Sequence, residues 1–310
     1  MLNKTEYKEI VVCLFDGGFD LGFAVLANSL SKHNYHGLLY VGYRGKLPVW
    51  TSQLERIDPE CFYLSKEIII QFVPVSTEMH LGYYKPYFLK QTFEVFPSAD
   101  KVYYFDTDII VKAPWIVFSK WLDKGVCLCL DNNFHYVHTS HPWRKDWRQL
   151  AGNDYKNFNE TSQYFNSGFL GIERKSIDLI ERWIYFTEKY IEMGGTIDFF
   201  VKNTNSSFKG DQDLLNAAIT ISSDIEINVM GKEAMGFSLP ATIMLHAIGE
   251  VKPWNKHFLK ELFMLGRAPS MAEKMFFNFC KYPISIFSNL EYKIKRLDLL
   301  VASFLGRFFS

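Results

Sequence analysis

Three features of the sequence predict an α/β protein built on a mainly parallel sheet with helices on its faces. Short apolar runs of strand length recur at 9–15, 37–42, 68–73, 101–105 and 125–130. They are apolar throughout rather than alternating, as strands covered on both faces are. Segments with helical spacing, 19–32 and 86–96 among them, fall between the runs, which is the order of a βαβ chain.

The elements follow in sequence. EIVVCLF at 9–15 reads as a buried strand, Asp16-Gly17-Gly18 as a turn and 19–32 as a helix. Strands at 37–42 and 68–73 precede a helix at 86–96. KVYYF at 101–105 is a strand that stops at Asp106-Thr107-Asp108, and 125–130 is a further strand. From 132 to 163 the chain turns polar and irregular, and a loop of that length is usually functional or disordered. A strand at 164–172, helices at 175–192 and 211–221 and a short strand at 242–246 complete the pattern. The length supports one large domain over 1–265 and an aromatic, basic, helical tail over 266–310.

Lys+Arg and Asp+Glu are equal at 34 each, so the chain lacks the basic excess of a nucleic-acid binder and none is expected as partner. Aromatic residues reach 17 %, enough for a dense core, for sugar-stacking surfaces or for a membrane-facing one. The five cysteines include no C-x-x-C pair, and Cys127 and Cys129 share a strand face, so a reduced compartment is expected. MLNKTEYKEI lacks the apolar core of a secretory signal, which leaves the glycosylation-type triplets at Asn3, Asn159 and Asn205 without context. No apolar run is long enough to span a bilayer. The expected location is the cytoplasm, with the tail as a peripheral contact to a membrane's cytoplasmic face. In that tail Phe276, Phe277, Phe279, Phe287, Phe304, Phe308 and Phe309 are interleaved with Lys274, Lys281, Lys293, Lys295, Arg296 and Arg307. Such a mixture suits an interfacial segment or a pair of helices packed on the domain.

Six groups of residues could carry chemistry. Asp106 and Asp108 close a hydrophobic strand two positions apart, where two carboxylates can share one hard cation at a strand's carboxyl end. His246 ends the run ATIMLH and would complete a mixed nitrogen and oxygen set that favours Mn²⁺ over Mg²⁺. Gly249 would let backbone approach a phosphate, and Lys252 would bind it as a point charge. Asp211-Gln212-Asp213 opens a helix, where capping is the plain alternative. Asn166 lies in YFNSGFLG and needs partners if buried. His135, His138 and His141 recur every third residue, but no cysteine or carboxylate pattern accompanies them.

Taken in order, EIVVCLFD at 9–16, DKVYYFDTDIIV at 100–111, YFNSGFLGIER at 164–174, DQDLLN at 211–216 and HAIGEVKPW at 246–254 resemble glycosyltransferase family eight. These are retaining enzymes of the GT-A fold, a Rossmann-like sheet flanked by helices, and include glycogenin and bacterial lipopolysaccharide galactosyl- and glucosyltransferases. The resemblance covers about 9–258. It implies an Mn²⁺-dependent hexosyltransferase, with Mg²⁺ as second choice, that moves glucose or galactose from a UDP-sugar to a glycan or glycolipid acceptor. It implies that Asp106, Asp108 and His246 hold the metal, that Gly249 and Lys252 contact the diphosphate, and that Asp16 contacts the uracil side. Lys85 is implied as a further donor contact, Asn166, Asp211 and Gln212 at the sugar and reaction centre, and Asp131 on the acceptor side. Gly18 departs from the family, which often has a polar residue there. The 132–163 segment aligns with no motif. Two other readings compete: a non-catalytic relative that binds nucleotide-sugar or membrane, and a metal-dependent phosphohydrolase using the same carboxylates.

Overall fold

The computed structural model describes residues 7–152, 155, 157–200 and 206–308; Asn3, Asn205 and Phe309 lie outside the described residues. Strand β1 (Glu9–Asp16) leads through a short 3-10 turn into α1 (Asp20–Lys32). Next come β2 (Gly37–Arg44), β3 (Glu55–Asp58), β4 (Cys61–Ser65), β5 (Ile68–Pro74) and α2 (Leu81–Val95). The middle of the chain forms β6 (Lys101–Phe105), β7 (Ile109–Val111), α3 (Trp115–Leu122), β8 (Val126–Cys129) and α4 (Pro142–Ala151). It continues with β9 (Phe169–Glu173), α5 (Asp178–Glu192), α6 (Asp211–Thr220), β10 (Ile227–Met230) and β11 (Met244–His246). Three helices follow: α7 (Phe258–Leu265), α8 (Met271–Phe276) and α9 (Asn289–Leu305). No described helix is long and apolar enough to cross a membrane.

The main sheet has nine strands in the order β10-β8-β9-β6-β1-β2-β5-β4-β3. β9 and β4 run against their neighbours, so the other seven share one direction. Alternate residues of β1, β2 and β6 enter opposite cores, as a period of two requires. Ile10, Val12, Tyr40 and Tyr104 pack with α2, α5 and α6, whereas Val11, Cys13, Val41 and Phe105 pack with α1 and α3. Cys127 and Cys129 share the second of these cores. β7 and β11 form a separate antiparallel pair that sets His246 opposite Ile109.

Three expectations need correction. The helix expected at 86–96 begins at Leu81, because His80 caps it through Nδ1, and Pro86 sits inside it. The segment at 132–163 contains α4, whose Arg144, Trp147 and Ala151 are buried at helical spacing. The strand expected at 164–172 begins at Phe169; before it, Phe165 makes one bridge to Leu130, and Asn166 lies on an irregular stretch.

The C-terminal helices cover a third core. Phe276, Phe277, Phe287 and Leu299 pack around Trp254, beside Val25 of α1 and Ile110 of β7. Asn28 ties this layer down, donating to the carbonyls of Phe279 and Ile284 and accepting from the Ile284 N–H. One face of α9 stays uncovered: Leu290, Ile294, Leu297 and Phe304 are each more than half exposed.

Candidate functional site

A cleft of about 340 Å³ opens at the carboxyl ends of β1 and β6, where an open α/β sheet binds its ligands. Asp16, Lys85, Asp106, Asp108, Asn166, Asp211, Gln212, His246 and Lys252 all line it. Gly249 does not: it is exposed on the loop after β11, with φ of 136° that favours glycine.

Asp106 and Asp108 stand on the turn between β6 and β7 rather than on the strand itself. Asp106 is held by its N–H to the Gly168 carbonyl at 2.7 Å and receives the Tyr104 hydroxyl on Oδ1 at 2.9 Å. Asp108 accepts the Ala247 N–H on its carbonyl at 2.9 Å, which joins this turn to β11. One donor atom from each of Asp106, Asp108 and His246 lies within 4.8 Å of the others. No other group of three metal-type side chains occurs among the described residues. His135, His138 and His141 therefore form none; His141 instead caps α4, accepting from the Trp143 N–H.

Two ammonium groups sit among three carboxylates. Lys85 Nζ is 3.0 Å from Asp106 and 2.8 Å from Asp211, and it also donates to the Ser167 carbonyl. Lys252 Nζ is 2.6 Å from Asp108 Oδ2, and His246 Nε2 is 3.1 Å from Oδ1. Burial raises the Asp108 carboxyl, but His246 and Lys252 more than reverse this and hold it well below the usual range. Burial likewise opposes ionisation of Asp211, and the nearby Lys85 and Ser167 leave it lowered overall. Lys85 is depressed by burial and raised by Asp106 and Asp211, with a net rise. The oxygen and nitrogen donors of Asp106, Asp108 and His246 fit a divalent cation.

The residues expected at a reaction centre form a connected network. Asn166 Nδ2 donates to Asp131 at 3.0 Å and to Gln212 Oε1 at 3.1 Å, and Ser167 Oγ donates to Asp211 at 2.9 Å. Capping does not explain Asp211, since α6 has no side-chain cap bond at its N-terminus. Asp16 is engaged by Arg44 at 2.5 Å. Gly168 allows the close approach of His246: a Cβ there would lie 2.6 Å from its Cε1. A second cavity of about 370 Å³ shares Asn166, Phe200, Asp211 and Gln212 with the cleft and adds Asp131, Trp143 and Tyr164.

Sequence reasoning missed His80, Phe19, Phe200, Tyr104 and Ser167 in the cleft wall. The pattern around Ser167, directly after Asn166, carried a usable signal; the others are brought in by tertiary packing.

No protein-family model matches the chain, and no curated protein sequence matches it. Solved structures do. The bifunctional glycosyltransferase WbbM aligns at TM-score 0.56 and 16 % identity over 94 % of this chain and 52 % of its own. The galactosyltransferase LgtC, solved with donor and acceptor sugar analogues, aligns at 0.54 and 15 % over 92 % of this chain and 99 % of its own. The glycosyltransferase GlyE of Streptococcus pneumoniae TIGR4 aligns at 0.50 and 17 %, covering 96 % and 64 %. The chain thus spans about half of WbbM, about two thirds of GlyE and nearly all of LgtC. These likenesses establish the fold: a large sheet flanked by helices, similar to GT-A glycosyltransferases, with a helical C-terminal segment.

Proposed function

We propose that this chain is a metal-dependent glycosyltransferase of family eight, moving glucose or galactose from a UDP-sugar to a glycan or glycolipid acceptor with retention. The observation that carries the reading is the convergence of Asp106, Asp108 and His246 beside Lys85 and Lys252 in one cleft. Neighbours of the same fold, one of them captured with donor and acceptor sugar analogues, support it.

In this reading Asp106, Asp108 and His246 hold the metal, Mn²⁺ ahead of Mg²⁺, which when bound neutralises the diphosphate leaving group. Lys252 places its charge where the departing phosphate oxygens gather, and the Gly249 loop lets backbone approach them. Lys85 holds Asp211 ionised and fixes its orientation. Asp211, Gln212 and Asn166 face the sugar, and Asp16 the nucleoside end. Of the three residues facing the sugar, Asp211 is the carboxylate, and it stands outside the metal-type triad, so it is the group available to steady positive charge at the anomeric carbon. The second cavity, walled by Asp131 and Trp143, takes the acceptor. Residues 1–265 act as the transferase domain and 266–310 as a peripheral membrane contact on the cytoplasmic side, through the uncovered face of α9.

The test is UDP release from a panel of UDP-sugars with Mn²⁺ and again with EDTA. Metal-dependent release from one sugar, accelerated by an acceptor glycan, is expected. Absence of both release and UDP binding would leave a non-catalytic relative. Release that no acceptor accelerates would favour the phosphohydrolase.

A further inference from the structure

A groove of about 530 Å³ lies between α8 and α9, beside the core that Trp254 shares with Phe277 and Leu299. Buried Phe277 and Leu299 form its floor, and exposed Lys274, Arg296 and Arg307 line it. Among the described residues no carboxylate lines it. Lys274 and Arg296 make no ion pair among the described residues; Arg296 donates to the Tyr292 hydroxyl at 3.0 Å. Leu300, 55 % exposed, belongs to the same wall and continues into Leu297 and Ile294 on the outward face of α9.

Charge is segregated around this groove. Residues 266–310 hold seven Lys or Arg and three Asp or Glu in a chain that is neutral as a whole. Two of the three acids are spent internally. Glu273 pairs with Lys256 and accepts the Ser270 N–H, and Asp298 accepts the N–H groups of Phe258 and Leu259 at the start of α7. What faces outward is a cationic cup with an apolar floor, bordered by an apolar helix face. An anion alone would satisfy Lys274 and Arg296 and leave the apolar face in water; an apolar peptide would leave those two cations without a counter-charge. One ligand class meets both demands: a phosphate headgroup on acyl chains.

We propose that this groove seats the headgroup phosphate of an anionic glycerophospholipid, with the acyl chains lying along Leu297 and Ile294. The assignment rests on the membrane-contact reading above and adds to it a defined site with headgroup selectivity.

The test uses the full chain and dioctanoyl-phosphatidylglycerol below its micelle concentration, followed by NMR or calorimetry. Dioctanoyl-phosphatidylcholine and inorganic phosphate serve as the comparison ligands. The phosphatidylglycerol is expected to bind at least tenfold more tightly than either. Lys274→Gln with Arg296→Gln is expected to abolish that preference; both side chains are exposed, so circular dichroism should show an unchanged fold. Equal binding of the two lipids, or selectivity that survives the double variant, would overturn the site. Equal binding of inorganic phosphate would reduce it to an anion site and overturn the lipid assignment. Flotation with phosphatidylglycerol-containing vesicles separates this from the wider reading. Flotation without headgroup selectivity removes the groove and keeps the membrane contact. Selective binding of the monomeric lipid without flotation keeps the groove and removes the membrane contact.

Discussion

Lys252 and Asp108, 144 positions apart in the chain, meet in a 2.6 Å ion pair at the base of the cleft. The contact brings the loop after β11 onto the turn after β6, and it links the residue assigned to phosphate with a residue assigned to metal. Asp108→Asn keeps the shape of the side chain and removes its charge. Affinity for UDP in the presence of Mn²⁺ should then fall at least tenfold, to the level seen with EDTA, with an unchanged circular dichroism spectrum. Calorimetric titration checks it, and undiminished Mn²⁺-dependent affinity would remove the metal assignment.

Lys85 is buried between Asp106 and Asp211. Lys85→Met strands two carboxylates without their cation, and breaking a buried pair in this way costs about 3–5 kcal/mol. Urea denaturation should show a loss of that order. Adding Asp211→Asn to the same chain should restore part of it, because one unmatched charge is removed; strict additivity of the two changes would contradict the coupling.

Asp213 supplies a pH signature. Burial raises its carboxyl to about 6, against hydrogen bonds from the Tyr164 hydroxyl and the Lys209 N–H. A carboxyl that binds its proton more tightly in the folded chain than in the unfolded one penalises the fold once it ionises. Its contribution is nil below the ordinary value of 3.8, grows less favourable up to about 6 and is constant above that. Relative to Asp213→Asn, the native chain should therefore lose about 2–3 kcal/mol of unfolding free energy between pH 4 and 7. Denaturation midpoints of both proteins across that range test it.

Gly168→Ala would put a methyl group 2.6 Å from His246 Cε1 and 2.8 Å from Asn166 Oδ1. His246 must shift, so Mn²⁺ affinity should drop by about tenfold, equivalent to about 1.4 kcal/mol. Gly18→Ala, with the nearest atom 4.0 Å away, is the control and should leave Mn²⁺ binding as it is. Equal effects of the two changes would argue that the imidazole position does not matter.

The sheet was legible where the strands are apolar and covered on both faces: β1, β2, β5, β6 and β8 lie where the runs of Val, Ile, Leu and aromatic residues put them. The hairpin of β3 and β4 was not, since ERID is polar and edge strands are half solvated. Helix α4 was hidden by its charged face, and only Arg144, Trp147 and Ala151 mark its buried side. Asp106 and Asp108 could be found because they are neighbours at a strand end. Tyr104 and His80 enter the site through contacts that the fold makes, and no local pattern announces such contacts. The tail proved amphipathic in a way composition cannot resolve, with Phe276 and Phe277 inward and Leu297 and Phe304 outward.

The reversed direction of β9 bears on how the chain is made. On a ribosome the half-sheet of β1, β2, β5 and β6 can pair once residue 105 has emerged, but the partner that covers the open side of β6 arrives only with residues 169–173. Until then a nascent chain carries an unsatisfied edge of backbone donors and acceptors, the kind of template on which polypeptides aggregate. Chains stalled in that interval are the ones a holding chaperone would need to shield.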